Sequence, residues 1–347
     1  MASNSQSSSS TWAPFRISPN FSERVWGYRD LRPWYDMVAE RGEPIGEAWL
    51  TGDHCVAATG PHAGQTLGTL FAENPEALLG PLASGDKAAA RNASPLLIKV
   101  IFAREKLSVQ VHPDDRMAQK YGDPRGKTEC WYALEAEPGA QVACGLKPGV
   151  TLDGVKAGIE QGTLEASLNL VDVAPGDMIF VDAGTVHAIL PGSILLETQQ
   201  NCDLTYRMYD YGRGRELHIA KSLEATRLRT RAGKVPARVL ADRGILIDEE
   251  YFRVERIPVD DSRASLTLPG EGETGSGLAY LFVARGAARI CGPGFEPIEL
   301  PMGAIAAVPA LSPEFAVGDA GGPNPSRADS SRLELMRITP RWPVDAR

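Results

Sequence analysis

The sequence predicts a mainly β fold of two jelly-roll barrels, with a few helices packed at the side. Three observations lead there. From Pro95 onward the apolar residues fall in short runs rich in Val, Ile, Leu and aromatics, most of them too short for an ordinary helix. Turns containing Gly separate those runs at close intervals, as at Pro138-Gly139, Pro148-Gly149, Pro175-Gly176 and Pro191-Gly192. A second β-rich stretch, from Gly244 to about Ile338, shows the same pattern after one helical segment.

Taken in order, residues 12–60 carry short apolar runs broken by Pro and Gly, with a strand expected over Ile45–Leu50. Residues 66–92 are helical in composition: Leu67, Leu70 and Phe71 share a face, Pro75 opens a second turn, and Asp86-Lys87-Ala88-Ala89-Ala90 follows. Leu96–Phe102 and Leu107–Val111 read as strands, and Asp114–Tyr121 as one short helix after Pro113. Further strands are expected at Cys130–Leu134, Ala140–Gly145, Ser167–Val173, Asp177–Val181 and Ile194–Gln199, with Thr151–Leu164 a helical insert among them. His218–Leu228 is a helix leading out of the first barrel. The second region contributes strands at Tyr251–Val259, Ala279–Arg285, Ala287–Cys291, Glu296–Leu300 and Ala304–Val308, and Gly318–Ser331 reads as a loop. A weak internal duplication fits this pattern, though no firm repeat period is present. The expected division is a disordered Ser-rich tail (1–11), a first domain bearing the chemistry (12–240) and a second β domain (241–347). The last histidine is His218, so the second domain is expected to be metal-free.

Composition narrows the function. A net charge of −8 argues against a sequence-independent nucleic-acid binder, yet leaves room for a few Arg and Lys focused on a small anion. The five cysteines are widely spaced with no C-x-x-C, which suits reduced thiols in a cytoplasm better than a disulfide framework. The first residues have neither a basic end nor an apolar core, so no signal peptide or membrane anchor is expected.

Leu107-Ser108-Val109-Gln110-Val111-His112-Pro113 is the most informative segment. In a strand, Gln110 and His112 point to one face, and a buried β-strand has little use for that pair except in a polar or metal-binding pocket. Glu129, in Gly126-Lys127-Thr128-Glu129-Cys130-Trp131-Tyr132, and His187, after the Ala183-Gly184 turn, complete a set of two imidazoles, one carboxylate and one amide. Taken singly, each has a bland reading as a surface or hydrogen-bonded residue; their placement in successive strands of one barrel favours a shared role. Zn²⁺ is well served by such a thiolate-free set, and Fe²⁺, Mn²⁺ or Co²⁺ also fit.

These segments resemble the signatures of the type I mannose-6-phosphate isomerases. The resemblance is carried by Pro95–Val100 continuing through Leu107–Asp115, by Gly126–Tyr132 and by Ala183–Ile189. Gln199-Gln200-Asn201-Cys202-Asp203-Leu204-Thr205-Tyr206-Arg207-Met208-Tyr209-Asp210-Tyr211 is similar to the short bacterial branch, as are Glu23–Gly27 and Ile45–Trp49 upstream. It is dense from about Pro14 to Leu223 and loose beyond. It implies a two-barrel cupin fold, with one Zn²⁺ in the first barrel on Gln110, His112, Glu129 and His187. It also implies interconversion of mannose 6-phosphate and fructose 6-phosphate through an enediol(ate). Departures are Asp182-Ala183-Gly184 where cupins have Pro-x-Gly, Gly126 where long members have His, and Cys202 where Ser is frequent.

For that reaction, Arg207 is expected to hold the enediolate or the phosphate, and Lys127 to act as acid or base if a neighbouring metal lowers its pKa. Lys99 and Ser108 are expected to bind phosphate or to order the pocket, with Glu47 and Trp26 at the substrate. A solvated surface charge is an equally good reading of Lys99. His54 is expected near the site, behind the residues that touch substrate, while His62 and His218 carry no assigned role. Two rival readings remain open: an iron-dependent cupin oxygenase, and a sugar-phosphate binder without chemistry. The substrate is a small sugar phosphate, with neither nucleic acid nor membrane as partner, and the chain is expected to be a monomer or homodimer.

Overall fold

A computed structural model describes residues 12–80, 93–241, 243–258, 277–320 and 333–341. The expected tail (1–11), residues 81–92 of the expected helical stretch with Asp86–Ala90, and most of the 318–331 loop lie outside these residues. The chain is mainly β and divides into two compact units, each with two antiparallel sheets. No helix among the described residues is long and apolar enough to cross a membrane.

The first unit comprises residues 20–49 and 95–237. Its seven-stranded sheet runs Gly233–Lys234, Met178–Val181, Glu129–Ala136, Ser193–Gln200, Leu96–Ala103, Ile45–Thr51 and Asn20–Tyr28 in spatial order. Its five-stranded sheet runs Tyr206–Tyr209, Val109–Val111, His187–Ile189, Gln141–Leu146 and Leu168–Asp172. Side chains alternate across each strand, so the inward face of Leu96–Ala103 presents Lys99, Ile101 and Ala103. Ile101 and Ala103 pack with Trp131, Ala133, Ile179, Val181 and Leu195 in one apolar cluster. Glu129, Glu197 and Lys99 share the faces of those residues but lie nearer the other strand ends, which makes one end of the interior apolar and the other charged.

Short helices decorate this unit. Asp114 caps the helix Asp115–Lys120 through the backbone N–H of Met117, and Thr151 caps Leu152–Glu160 through Gly154. The expected insert is shorter than 151–164, ending at Gln161 and continuing as the 3₁₀ turn Leu164–Ser167. Ile219–Ala225 forms the helix expected over 218–228.

The second unit, made of residues 1–19, 50–94 and 238–347, differs from the single cut expected at 240. The reason is pairing: Phe15–Ser18 lies between Ile305–Val308 and Val56–Ala57 in an eight-stranded sheet. The eight-stranded sheet and a three-stranded sheet, Ile298–Pro301, Ala287–Cys291 and Ala316–Asp319, enclose an apolar cluster centred on Leu281, Val283, Ile290 and Leu335. Ala316–Asp319 is a strand where the start of a loop was expected. This unit also carries His54 and His62, so the C-terminal barrel is not histidine-free once its N-terminal strands are counted with it.

Candidate metal centre

Strand register sets the first half of the site. Across the five-stranded sheet, Gln110 is paired with Arg207 on one side and His187 on the other. Directly paired residues of antiparallel strands share a face, so these three side chains form one row. His112 follows one residue past the strand Val109–Val111, on the same face as Gln110. Its ring centroid lies 4.7 Å from that of His187. Gly184, in the left-handed region at φ 89°, makes the turn that returns the chain to His187, and its N–H donates to His112 O at 2.8 Å.

Glu129, from the facing sheet, completes the group. His112, Glu129 and His187 are each 1% exposed, and their donor atoms all lie within 4.8 Å of one another. His112 Nε2 is 3.6 Å from Glu129 Oε2, and His187 Nε2 is 3.4 Å from Glu129 Oε1. Tetrahedral ligands at about 2.1 Å from an ion are about 3.4 Å apart, so these separations match a shared cation. Both rings donate from Nδ1 to backbone carbonyls, His112 to Leu204 O (2.8 Å) and His187 to Thr185 O (2.9 Å), which leaves both Nε2 lone pairs facing Glu129. Glu129 Oε1 accepts no hydrogen bond among the described residues, a costly state for a buried carboxylate that a cation would relieve. Gln110 places its amide nitrogen 3.2 Å from His187 Nε2 while its oxygen accepts from Ser108 Oγ (3.3 Å). A half-turn of the amide exchanges the two atoms and offers the oxygen to the same point. The residues present therefore fit a divalent cation held by nitrogen and oxygen.

Electrostatics follow from burial. Burial lowers the His187 pKa to about 4 and that of His112 well below its usual value, so both imidazoles are neutral and able to ligate near pH 7. Burial and the charge of Glu197 raise Glu129 to about 7. Lys127 Nζ sits 2.6 Å from Glu129 Oε2 and 3.0 Å from His112 Nε2. Burial opposes its charge, but the carboxylates of Glu129 and Glu197 prevail and raise its pKa, so Lys127 is an ammonium here. The lowering expected from sequence was conditional on a neighbouring metal, and a cation sharing the charge of Glu129 would weaken that hold.

A line of alternating buried charges continues from there. Glu197 Oε1 is 3.5 Å from Lys127 Nζ and 3.1 Å from Lys99 Nζ, while Glu197 Oε2 accepts from Trp131 Nε1 at 3.0 Å. Lys99 also faces Glu47 Oε1 at 3.7 Å, and Glu47 Oε2 accepts from Arg24 Nη2 (3.0 Å) and Trp49 Nε1 (2.7 Å). Lys99 is 4% exposed and is not a solvated surface charge. Two carboxylates, Glu47 and Glu197, lie beside it. Ser108 orders Gln110, and Trp26 packs against the apolar cluster at the cleft wall. A cleft of about 580 Å³ opens over this group, lined by Gln110, Lys127, Lys99, Glu47, Glu197, Trp26, Arg207 and Arg215 among others. Arg207 lies within the strand Tyr206–Tyr209. His54 is exposed in a turn of the other unit. His218, half-buried, accepts from Arg207 N–H at 3.2 Å.

Sequence reasoning missed Glu197, Arg24 and Arg215. The signal for Glu197 was available: Leu96–Ala103 and Ser193–Gln200 are strands with a single charge each, Lys99 and Glu197. These two prove to be direct register partners.

Residues 15–145 match the catalytic-domain model of type I phosphomannose isomerase. Mannose-6-phosphate isomerase ManA of Bacillus subtilis is 39% identical over 226 residues, covering 62% of this chain and 68% of that protein. The crystal structure of a mannose 6-phosphate isomerase from Bacillus subtilis superposes with a TM-score of 0.78 at 27% identity, covering 94% of this chain and 99% of that one. A mannose 6-phosphate isomerase bound with zinc and yttrium shares the fold (TM-score 0.71, 17% identity, 95% of this chain and 100% of that one). The sequence identity with ManA, the catalytic-domain match and the superposition lead to one conclusion: the chain belongs to the type I mannose-6-phosphate isomerase family.

Proposed function

We propose that this chain interconverts mannose 6-phosphate and fructose 6-phosphate, moving a proton between C1 and C2 through an enediol(ate), with one zinc ion per chain. The observation that carries the reading is the His112–Glu129–His187 group with Gln110, set beneath a cleft that also holds Lys127 and Arg207. Two imidazoles, a carboxylate and an amide oxygen without thiolate suit Zn²⁺, and a family relative has been crystallised with zinc. When bound, the ion supplies Lewis-acid polarisation of the sugar oxygens and offsets enediolate charge.

The residues divide the remaining work. Lys127, at the cleft wall and 3.0 Å from His112 Nε2, is placed to carry a proton to or from the sugar carbons or their oxygens. Glu197 and Glu47 hold Lys127 and Lys99 in place through the buried ion pairs. Gln110 and Ser108 order the floor, and Trp26 closes one wall against water. Arg207 supplies positive charge for the enediolate or the phosphate. Five widely spaced cysteines without a C-x-x-C pair favour a reducing cytoplasm, and the chain works as a monomer or homodimer.

Metal analysis of purified protein, together with a coupled assay for fructose 6-phosphate formed from mannose 6-phosphate, tests this reading. Zinc near one equivalent with turnover supports it. Sugar-phosphate binding without interconversion, or oxygen uptake by an iron-loaded sample, replaces it with one of the rival readings.

A further inference from the structure

Asp210 directly follows the strand that carries Arg207 and is 4% exposed. Its carboxylate takes both arms of the Arg215 guanidinium, Oδ2 accepting from Nε at 2.8 Å and Oδ1 from Nη2. Such a bidentate pair fixes the plane of the guanidinium as well as its place. The chain reaches Arg215 through a tight loop in which Tyr211 (φ 55°), Gly212 (φ 76°) and Gly214 (φ 77°) are left-handed. A left-handed residue other than Gly is uncommon and needs support from its surroundings. That support is visible: Arg213 N–H donates to Asp210 O (3.1 Å), and Arg213 Nη1 donates to Lys106 O (2.7 Å) while its Nη2 faces Glu105 (3.2 Å).

The two arginines of this loop thus differ in use. Arg213 is spent on tethering the loop, whereas Arg215 lines the cleft together with Arg207. Arg207 donates from Nη1 to Glu216 O (3.0 Å), and its Nε has no hydrogen-bond partner among the described residues. Burial and the nearby charge of Arg215 lower the Arg207 pKa and outweigh the opposing pull of Asp210 and Glu216, so the two arginines that line this cleft repel each other. A dianion between them would offset that repulsion and use the donors left over.

We propose that Asp210 is a positioning residue that holds the Arg215 guanidinium beside Arg207, so that the two form a paired grip on the substrate phosphate. This rests on the isomerase reading above and adds the phosphate end of the same cleft. Asp210 acts through Arg215, its bidentate partner; its second cation, Arg213 Nη1 at 3.8 Å, is the arginine that tethers the loop.

The test uses the full chain loaded with zinc, with Arg215→Gln, Asp210→Asn and the double variant. Each single change is expected to raise KM for mannose 6-phosphate, and Ki for inorganic phosphate as competitive inhibitor, by about tenfold, the worth of one charge-assisted contact. In each, kcat falls by less than KM rises. The double variant is expected to show no further rise, since residues acting as one unit are not additive. Multiplied effects in the double variant, an unchanged phosphate Ki, or a loss confined to kcat overturns the assignment. If Asp210→Asn does not fold, Arg215→Gln decides the matter through the phosphate Ki, because its side chain is 32% exposed and tolerates change. If the parent protein shows no isomerisation, the functional reading fails separately. Calorimetric titration of inorganic phosphate into parent and Arg215→Gln protein then tests the grip itself, and equal affinities reject it.

Discussion

Glu197→Gln isolates the buried charge line at the heart of the cleft. The carboxylate of Glu197 lies 3.1 Å from Lys99 Nζ and 3.5 Å from Lys127 Nζ, and all three side chains are 5% exposed or less. At an effective dielectric near 20, each contact is worth about 5 kcal/mol of attraction. Against this stand the desolvation of the carboxylate, which costs several kcal/mol, and its repulsion from Glu129 and Glu47. Removing one partner of a buried pair while leaving its cations behind costs about 3–5 kcal/mol. The amide of Gln can still accept from Trp131 Nε1, so the lower end applies. At roughly 2–4 °C per kcal/mol for a unit of this size, the melting temperature should fall by about 6–12 °C. Differential scanning calorimetry of the metal-free protein at pH 7 reads this directly. The pH dependence has a definite sign: Lys127 and Lys99 outweigh burial and hold the Glu197 pKa below its ordinary value. Its stabilisation is therefore present above the ordinary carboxylate pKa and lost as the pH falls through the lowered one. The gap between parent and variant should close on acidification. A shift under about 2 °C at pH 7, or a gap that widens in acid, would refute the charge-line reasoning.

Four further outcomes are expected. Glu129 titrates at about 7 in the metal-free protein, so zinc affinity should rise with pH up to that point and then level, with one proton released per ion in the lower range; a Kd independent of pH between 5 and 7 contradicts this. His112→Ala and His187→Ala should each lose zinc and turnover together, and stoichiometric zinc retained in either protein, measured by plasma emission, removes that residue from the ligand set. Lys127→Met should abolish turnover while keeping zinc, and near-normal kcat would exclude Lys127 from proton transfer. At Gly126, an added Cβ would fall 2.4 Å from Asp114 C and 2.5 Å from Pro113 O, both backbone, so Gly126→Ala should cost about 1–3 kcal/mol in denaturant melts and weaken zinc binding through Lys127 and Glu129.

Particular residues show how far sequence reading reaches. Gln110 and His112 were legible because a period of two needs only neighbouring residues, and the observed strand Val109–Val111 keeps them on one face. Glu129 and His187 were legible from motif, and the structure brings them to the same point. Lys99 was ambiguous, since a single charge in an apolar strand has no local partner. Its partner, Glu197, lies nearly a hundred residues away in sequence and meets it only through strand register. Arg215 was unreadable for a related reason: its place in the cleft depends on the left-handed turn at Tyr211 and on the Asp210 carboxylate.

By itself, then, the sequence determined the β character of the chain, the four metal-ligand candidates and the family, all of which rest on short-range pattern. Tertiary structure alone decided which sheet each strand joined. It sent Phe15–Ser18 and His54 to the unit without the metal centre and turned Lys99 from a possible surface charge into a buried one. It also set two carboxylates beside Lys127. The physical reason is common to all three: pairing, burial and field at a residue are set by chain segments remote in sequence, which no local window contains.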